Sequence, residues 1–190
     1  SEEGQTVLMT AALSGNADAV RVLIQNGADV NAVEPYKGQT ALMFAAGEGN
    51  SKAVAQLIEF GANVKAVTKG GFTPFLFAVR NGHIAAAKLL LDHGANVNDV
   101  APDGTSALNM AVVNAYFELA SVLLDRGGDP NLPDPDLHPT ANAPIKYTLR
   151  AANGSGKDMY LLSIMSLLGP SVWNITIVLG IAFGIQNSRV

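Results

Sequence analysis

The phrase Gln5-Thr6-Val7-Leu8-Met9-Thr10-Ala11-Ala12 opens a stretch that returns three more times along the chain, altered but recognisable. The copies align on their hydroxyl residues Thr6, Thr40, Thr73 and Ser106, and the first step is one position longer than the two equal steps that follow. A glycine stands at the same distance after each anchor, at Gly27, Gly61, Gly94 and Gly127. Asn31, Asn98 and Asn131 lie four places beyond three of these glycines, and Lys65 takes that place in the second copy. A near-constant period of about 33 residues means a solenoid, a row of similar units that each bury their apolar face only against a neighbour.

Local chemistry divides each unit in the same way. Thr6, Thr40, Thr73 and Ser106 sit where a helix needs an N-cap, because a hydroxyl oxygen can accept from an otherwise orphaned backbone N–H. Leu8, Ala11 and Ala12 then recur at the spacing of one buried helical face. Gly15, Gly49 and Gly82 end this short helix, where a left-handed backbone costs glycine least. Ala19, Val20, Leu23 and Ile24 form the apolar stripe of a second helix, stopped at Gly27. Residues such as Ala28 to Gln39 then turn outward as a loop or hairpin and return to the next cap. The many alanines let helices of adjacent units approach closely, so the units form one cooperative array.

The repeated unit resembles the ankyrin repeat. The family's opening phrase G-x-T-P-L-H-x-A has counterparts at Gly4–Ala11, Gly38–Ala45, Gly71–Ala78 and Gly104–Ala111, of which only the third keeps the proline, as Pro74, and none the histidine. Its closing phrase V-x-x-L-L-x-x-G-A-x-x-N is matched by Val20-Arg21-Val22-Leu23-Ile24-Gln25-Asn26-Gly27-Ala28-Asp29-Val30-Asn31. The resemblance covers residues 3–134, with repeats at about 4–37, 38–70, 71–103 and 104–134, and an array domain assigned to 1–131. It implies an all-α ankyrin solenoid with loop or short hairpin connections, followed here by a hydrophobic helical C-terminal tail. It also implies contact positions just before each T-P-L-H-like phrase and just before the glycine that ends each first helix. In this chain those are Tyr36, Lys37, Gln39 and Glu48, then Lys69, Phe72, Arg80 and Asn81, then Asp103, Thr105 and Asn114. Tyr36 and Phe72 are the strongest anchors among them, since exposed aromatics bury much area at small entropic cost. Arg80 suits a partner carboxylate.

The fourth unit loosens. Ala115 replaces the helix-ending glycine, Gly128 replaces the alanine that follows Gly127, and Pro130 precedes Asn131. A proline-rich stretch follows, from Leu132 to Pro139, and proline cannot continue a helix. Residues 132–142 are therefore expected to be a linker or enlarged loop, and 132–158 as a whole a linker or degenerate fifth repeat. Ala143-Pro144-Ile145-Lys146-Tyr147-Thr148 resembles a repeat opening, which makes 143–174 a candidate fifth helix pair.

From Met159 to Ile185 the character changes, and no side chain in this stretch carries a charge. A membrane span needs about 20 largely apolar residues, so the length suffices for a candidate span. Gly169-Pro170 interrupts it, leaving Met159–Leu168 before the pair and Ser171–Ile185 after, and Asn174 is costly in lipid. Residues 159–190 thus form a hydrophobic tail, with membrane tethering through 159–185 as the alternative to a free array. The phrase Leu168-Gly169-Pro170-Ser171-Val172-Trp173-Asn174, with the run to Val190, resembles a fragment of a bacterial peptide-type transporter permease, which implies a fusion with a truncated membrane segment.

Composition narrows the function. The chain's 190 residues carry 12 basic and 16 acidic side chains, a net charge of −4, which argues against nucleic acid because phosphate binding needs a concentrated basic surface. Without cysteine there is no disulfide framework, thiol nucleophile or cysteine-ligated zinc site, and the compartment stays open between cytosol and periplasm. The chain lacks a starting methionine and opens directly into a repeat, so it reads as a processed product or fragment.

Ala152-Asn153-Gly154-Ser155-Gly156-Lys157 imitates a Walker A loop. Ala151 and Asp158 stand where the pattern requires glycine and a hydroxyl, and the aspartate would repel phosphate. An ATP-handling enzyme is accordingly the weaker rival. His83 and His93 sit at helix boundaries, where capping and a favourable charge at a helix C-terminus account for them. No metal-ligand spacing or catalytic triad accompanies them. The expectation is a non-catalytic module, without cofactor or metal, that binds another protein through the concave face and loops of the array.

Overall fold

The computed structural model describes residues 4–132, 148–151 and 160–163. The chain divides into two compact units, Ser1–His138 and Pro139–Val190. The first holds four helix pairs: α1 (Val7–Leu13) with α2 (Ala17–Gln25), α3 (Ala41–Gly47) with α4 (Ser51–Glu59), α5 (Pro74–Arg80) with α6 (Ile84–Asp92), and α7 (Ala107–Val113) with α8 (Phe117–Asp125). Every first helix has 7 residues and every second helix 9, so the near-equal steps in sequence become a regular stack in space.

The expected caps are in place. The hydroxyl oxygens of Thr6, Thr40, Thr73 and Ser106 accept from the amides of Met9, Met43, Leu76 and Asn109, at 3.2, 3.4, 3.2 and 3.2 Å. Met9 and Met43 stand where the family phrase has histidine, and their sulfurs accept weakly from the N-cap amides of Thr6 and Thr40. Pro74 occupies the first turn of α5, where its missing N–H costs nothing.

The helices stack in two layers, α1–α3–α5–α7 and α2–α4–α6–α8. Between them lies a continuous core of small and branched side chains, including Ala12, Ala46, Ala53, Leu57, Phe75, Leu90, Ala111 and Leu123, all buried. The alanines sit where helices of adjacent repeats come close; the leucines fill the space left over. Truncating any such leucine to alanine would leave a cavity worth about 2–5 kcal/mol. Hairpin-like turns join the repeats, with antiparallel bridges Val33–Thr40 and Val100–Ser106 closing the first and third.

The loosening expected in the fourth repeat does not shorten its helices. Ala115 takes the left-handed backbone of the glycines it replaces, at φ 60° against 73°, 71° and 74° for Gly15, Gly49 and Gly82. An L-residue pays about 1–2 kcal/mol for that conformation.

The all-helical expectation is met by the array. In the second unit, Thr148–Ala151 (β1) pairs antiparallel with Tyr160–Ser163 (β2), in the register Thr148–Ser163 to Ala151–Tyr160. These described parts of the expected fifth helix pair, and of the expected helical tail, are extended. A run as short as Tyr160-Leu161-Leu162-Ser163 has no spacing that favours helix over strand. The linker beyond Leu132, the Walker-like loop at 152–157, and the apolar and permease-like stretch beyond Ser163 lie outside the described residues. Among the described residues no helix is long and apolar enough to cross a membrane.

Candidate interaction surface

The connection from Ala28 to Gln39 is one residue longer than its successors, and a buried carboxylate organises it. Glu34 is 4% exposed. Its Oε1 accepts from the amides of Lys37 at 2.7 Å and Gln39 at 3.0 Å, and its Oε2 from Tyr36 at 2.7 Å. The backbone of Glu34 closes the turn through Glu34 N–H to Gln39 O at 3.0 Å and Gly38 N–H to Glu34 O at 3.1 Å. Successive amides aimed at one anion form a nest. Desolvation is the largest single influence on this carboxyl and pushes its pKa up. The backbone donors from Gln39, Tyr36, Lys37 and Gly38 outweigh it together and hold the group below its ordinary value. Three expected contact residues, Tyr36, Lys37 and Gln39, are thus held on a clasped loop. Tyr36 is 69% exposed, Lys37 is exposed and Gln39 half-buried.

The second turn uses a hydroxyl in the same role. Buried Thr68 accepts the Phe72 amide on its Oγ1 at 2.9 Å, while its own N–H donates to Phe72 O at 3.0 Å. Neighbouring turns are linked: the amide of Lys69 donates to Lys37 O at 2.8 Å, and its ammonium reaches Pro35 O. The third turn has Ala101 at the equivalent place, with no side-chain acceptor to offer. There Asp103 Oδ1 takes the Thr105 amide at 2.9 Å, and Asp99 Oδ2 accepts from the Thr73 hydroxyl at 2.8 Å.

Beside the second turn, Phe72 meets Phe77 of α5 with ring centroids 5.6 Å apart. The Arg80 guanidinium lies 5.2 Å from the Phe72 ring centroid and 5.1 Å from that of Phe77. Contact with two ring faces fixes the cation without neutralising it. Among the described residues Arg80 forms no ion pair; the pairs present are Arg21–Asp18 and Arg126–Asp92. Phe72 and Arg80, both among the contact positions that the resemblance implies, are therefore brought together, though Phe72, expected to be exposed, is half-buried against the core. Phe77, three places before Arg80 and so on the same side of α5, completes the cluster. Sequence reasoning passed over both Phe77 and Glu34. The signal for Phe77 was this helical spacing, and the signal for Glu34 was the extra position in the first repeat step.

The remaining expected residues are placed less uniformly. Glu48 is the exposed C-cap of α3. Asn81 caps α5, and its side-chain amide donates across the repeat boundary to Gly47 O at 2.6 Å. Asn114 turns its amide onto Met110 O of its own helix at 2.8 Å. Asp103 is exposed and Thr105 half-buried at the third turn.

His83 and His93 both make contacts at helix ends, though His83 acts differently from expectation. It makes no side-chain cap for α6; its Nε2 instead lies 3.0 Å from Gly47 O, at the end of the preceding repeat's first helix. His93 Nδ1 lies 2.8 Å from Leu89 O at the C-terminus of α6. Among the described residues no cluster of His, Asp and Glu could hold a metal ion.

No curated protein matches the chain, and no comparison supports the permease resemblance. The family model for ankyrin repeats (3 copies) matches residues 1–68 and 48–134. That span takes in all four helix pairs with their caps and turns, and the chain belongs to the ankyrin-repeat family.

Proposed function

We infer that this chain is a non-catalytic binding module whose partner is another protein, as ankyrin repeats generally mediate protein–protein interaction. The contact surface is formed by the clasped turns and the adjoining first helices, centred on Tyr36, Phe72 and Arg80, with Lys37, Gln39, Lys69, Glu48 and Asn81 around them and Asp103, Thr105 and Asn114 at its far end. The observation that carries this is Arg80, an exposed cation packed against two aromatic rings with no acidic partner among the described residues. A partner that offers a carboxylate beside an apolar group would satisfy both parts of the cluster. Its mechanism is complementarity of shape and charge on a pre-organised surface, and no cofactor enters it.

The test is partner binding by Phe72→Ala and Arg80→Ala chains, against Lys88→Ala on the exposed side of α6. Each of the first two is expected to weaken binding about tenfold or more, in the range of a binding hot spot, with folding intact. Equal affinity in all three would place the partner elsewhere.

A further inference from the structure

Gly47 is the one glycine inside a helix among the described residues, and the packing around it does not call for it. It ends α3 in ordinary helical backbone, whereas the glycines that follow the helices hold a positive φ. A Cβ built on it would meet Phe77 Cδ1 at 3.8 Å and Asn81 Nδ2 at 3.9 Å, ordinary van der Waals distances; one on nearby Gly49 would lie 2.5 Å from His83 Nδ1. The equivalent positions of the other repeats carry Leu13, Arg80 and Val113, so the array accepts a side chain there. Backbone freedom is not in use either. The Gly47 carbonyl accepts from Asn81 Nδ2 at 2.6 Å and lies 3.0 Å from His83 Nε2, both on the next repeat. A helical glycine costs stability relative to alanine, and alanines such as Ala45, Ala46 and Ala78 already serve the close approach of the helices.

The missing side chain leaves a notch beside the cation–aromatic cluster. Phe44 stands three places before Gly47 on the same side of α3 and is half-buried. Phe77, also half-buried, lies against Gly47 from α5 and has the Arg80 guanidinium 5.1 Å from its ring centroid. An apolar side chain laid over the glycine would cover both rings and end next to an exposed cation.

The charges around the notch specify the rest of the occupant. Residues 36–48 and 66–81 carry Lys37, Lys69 and Arg80 against Glu48 alone, on a chain whose net charge is −4. Exposed Glu48 forms no ion pair with Arg80. The backbones of Lys37 and Lys69 are joined across adjacent turns, and Phe72 of the second turn carries Arg80 on its ring, so the excess forms one patch.

Resting on the binding reading above, we propose that Gly47 determines specificity: the notch between Phe44 and Phe77 seats a large apolar side chain of the partner protein, and Arg80 takes an Asp or Glu carboxylate beside it in the partner's sequence. The partner segment is acidic with one apolar anchor. A side chain at position 47 would fill the seat from within the array.

The test selects a random-peptide library displayed on phage against the full chain, where peptides with Leu, Ile, Phe or Trp beside Asp or Glu are expected to be enriched. The tightest of these, labelled with fluorescein, is then titrated by anisotropy against variants. Gly47→Leu is expected to weaken it about tenfold or more without lowering the thermal midpoint. Gly47→Ala is expected to weaken it severalfold while raising the midpoint by about 2 °C or more, opposite signs that a purely structural glycine would not give. Arg80→Ala is expected to cost about tenfold as well. If Arg80→Ala weakens binding and both Gly47 variants bind as the parent does, the notch is empty, and this proposal fails while the binding surface stands. If none of the three responds, the surface assignment fails with it. Enrichment of basic or purely polar peptides, or no enrichment, would also overturn the proposal.

Discussion

The first and third turns of the array occupy equivalent places and reach the same outline by different chemistry. In the first, a buried carboxylate gathers three backbone amides, through which the turn presents Tyr36 and Lys37. In the third, Ala101 offers no side-chain acceptor, and exposed Asp103 ties down a single amide. The period thus specifies where a turn stands, and the residue seven places after the helix-stopping glycine, whether Glu34, Thr68 or Ala101, specifies how firmly it is held. Binding surfaces gain from pre-organisation, because ordering a loop on contact costs free energy that the partner must supply.

The largest expected effect is at the clasp. Glu34→Ala should destabilise the array by about 2 kcal/mol, because partly buried amides lose their acceptor. A lowered folded-state pKa means that the carboxylate's stabilisation is complete above its ordinary value of 4.5 and is lost as pH falls through the depressed native value. Glu34→Gln should therefore flatten the acid limb of a stability–pH curve, read from urea midpoints. An unchanged acid limb would mean that Glu34 does not clasp the turn in solution.

A smaller effect is expected where adjacent turns join. Asn31 donates to Gly61 O at 3.1 Å and accepts from Asn63 N–H at 2.8 Å, and Asn98 accepts from Asp129 N–H at 2.8 Å. Lys65 interrupts this series between the second and third repeats, since an ammonium cannot accept. Asn31→Ala should cost about 1 kcal/mol, and Lys65→Asn should add a few tenths to about 1 by restoring the missing rung. Denaturant melts measure both, and opposite signs are the expected result.

The smallest effect tests the weak turn. Asp103→Ala should change stability by less than about 0.5 kcal/mol, since the group is exposed and its amide partner can turn to water. A loss comparable to that of Glu34→Ala would erase the contrast between the two turns.

Much of the fold was legible because its determinants are local. The N-caps at Thr6, Thr40, Thr73 and Ser106 act on amides three places away, and spacing reveals that directly. What escaped depends on neighbours a full repeat distant. His83 was expected to cap its own helix, yet it reaches a carbonyl of the preceding repeat. Glu34 was hidden for another reason: a lone loop carboxylate resembles a solvated one, and only the extra position in the first step marks it out. Of the site, Phe72 and Arg80 were legible by position, and the cluster they form with Phe77 was not. In the second unit, a strand pair at 148–151 and 160–163 falls where the sequence offered a linker or fifth repeat and the start of a hydrophobic tail, and short apolar runs could not announce it.

The central claim, that the turn and first-helix side of the array meets the partner, is tested most directly by site-specific photo-crosslinking. A photoreactive phenylalanine analogue at position 36 or 72 should yield a discrete adduct with a partner protein, and the same analogue at position 88 on α6 should not. Adducts from position 88, with none from 36 or 72, would contradict the account.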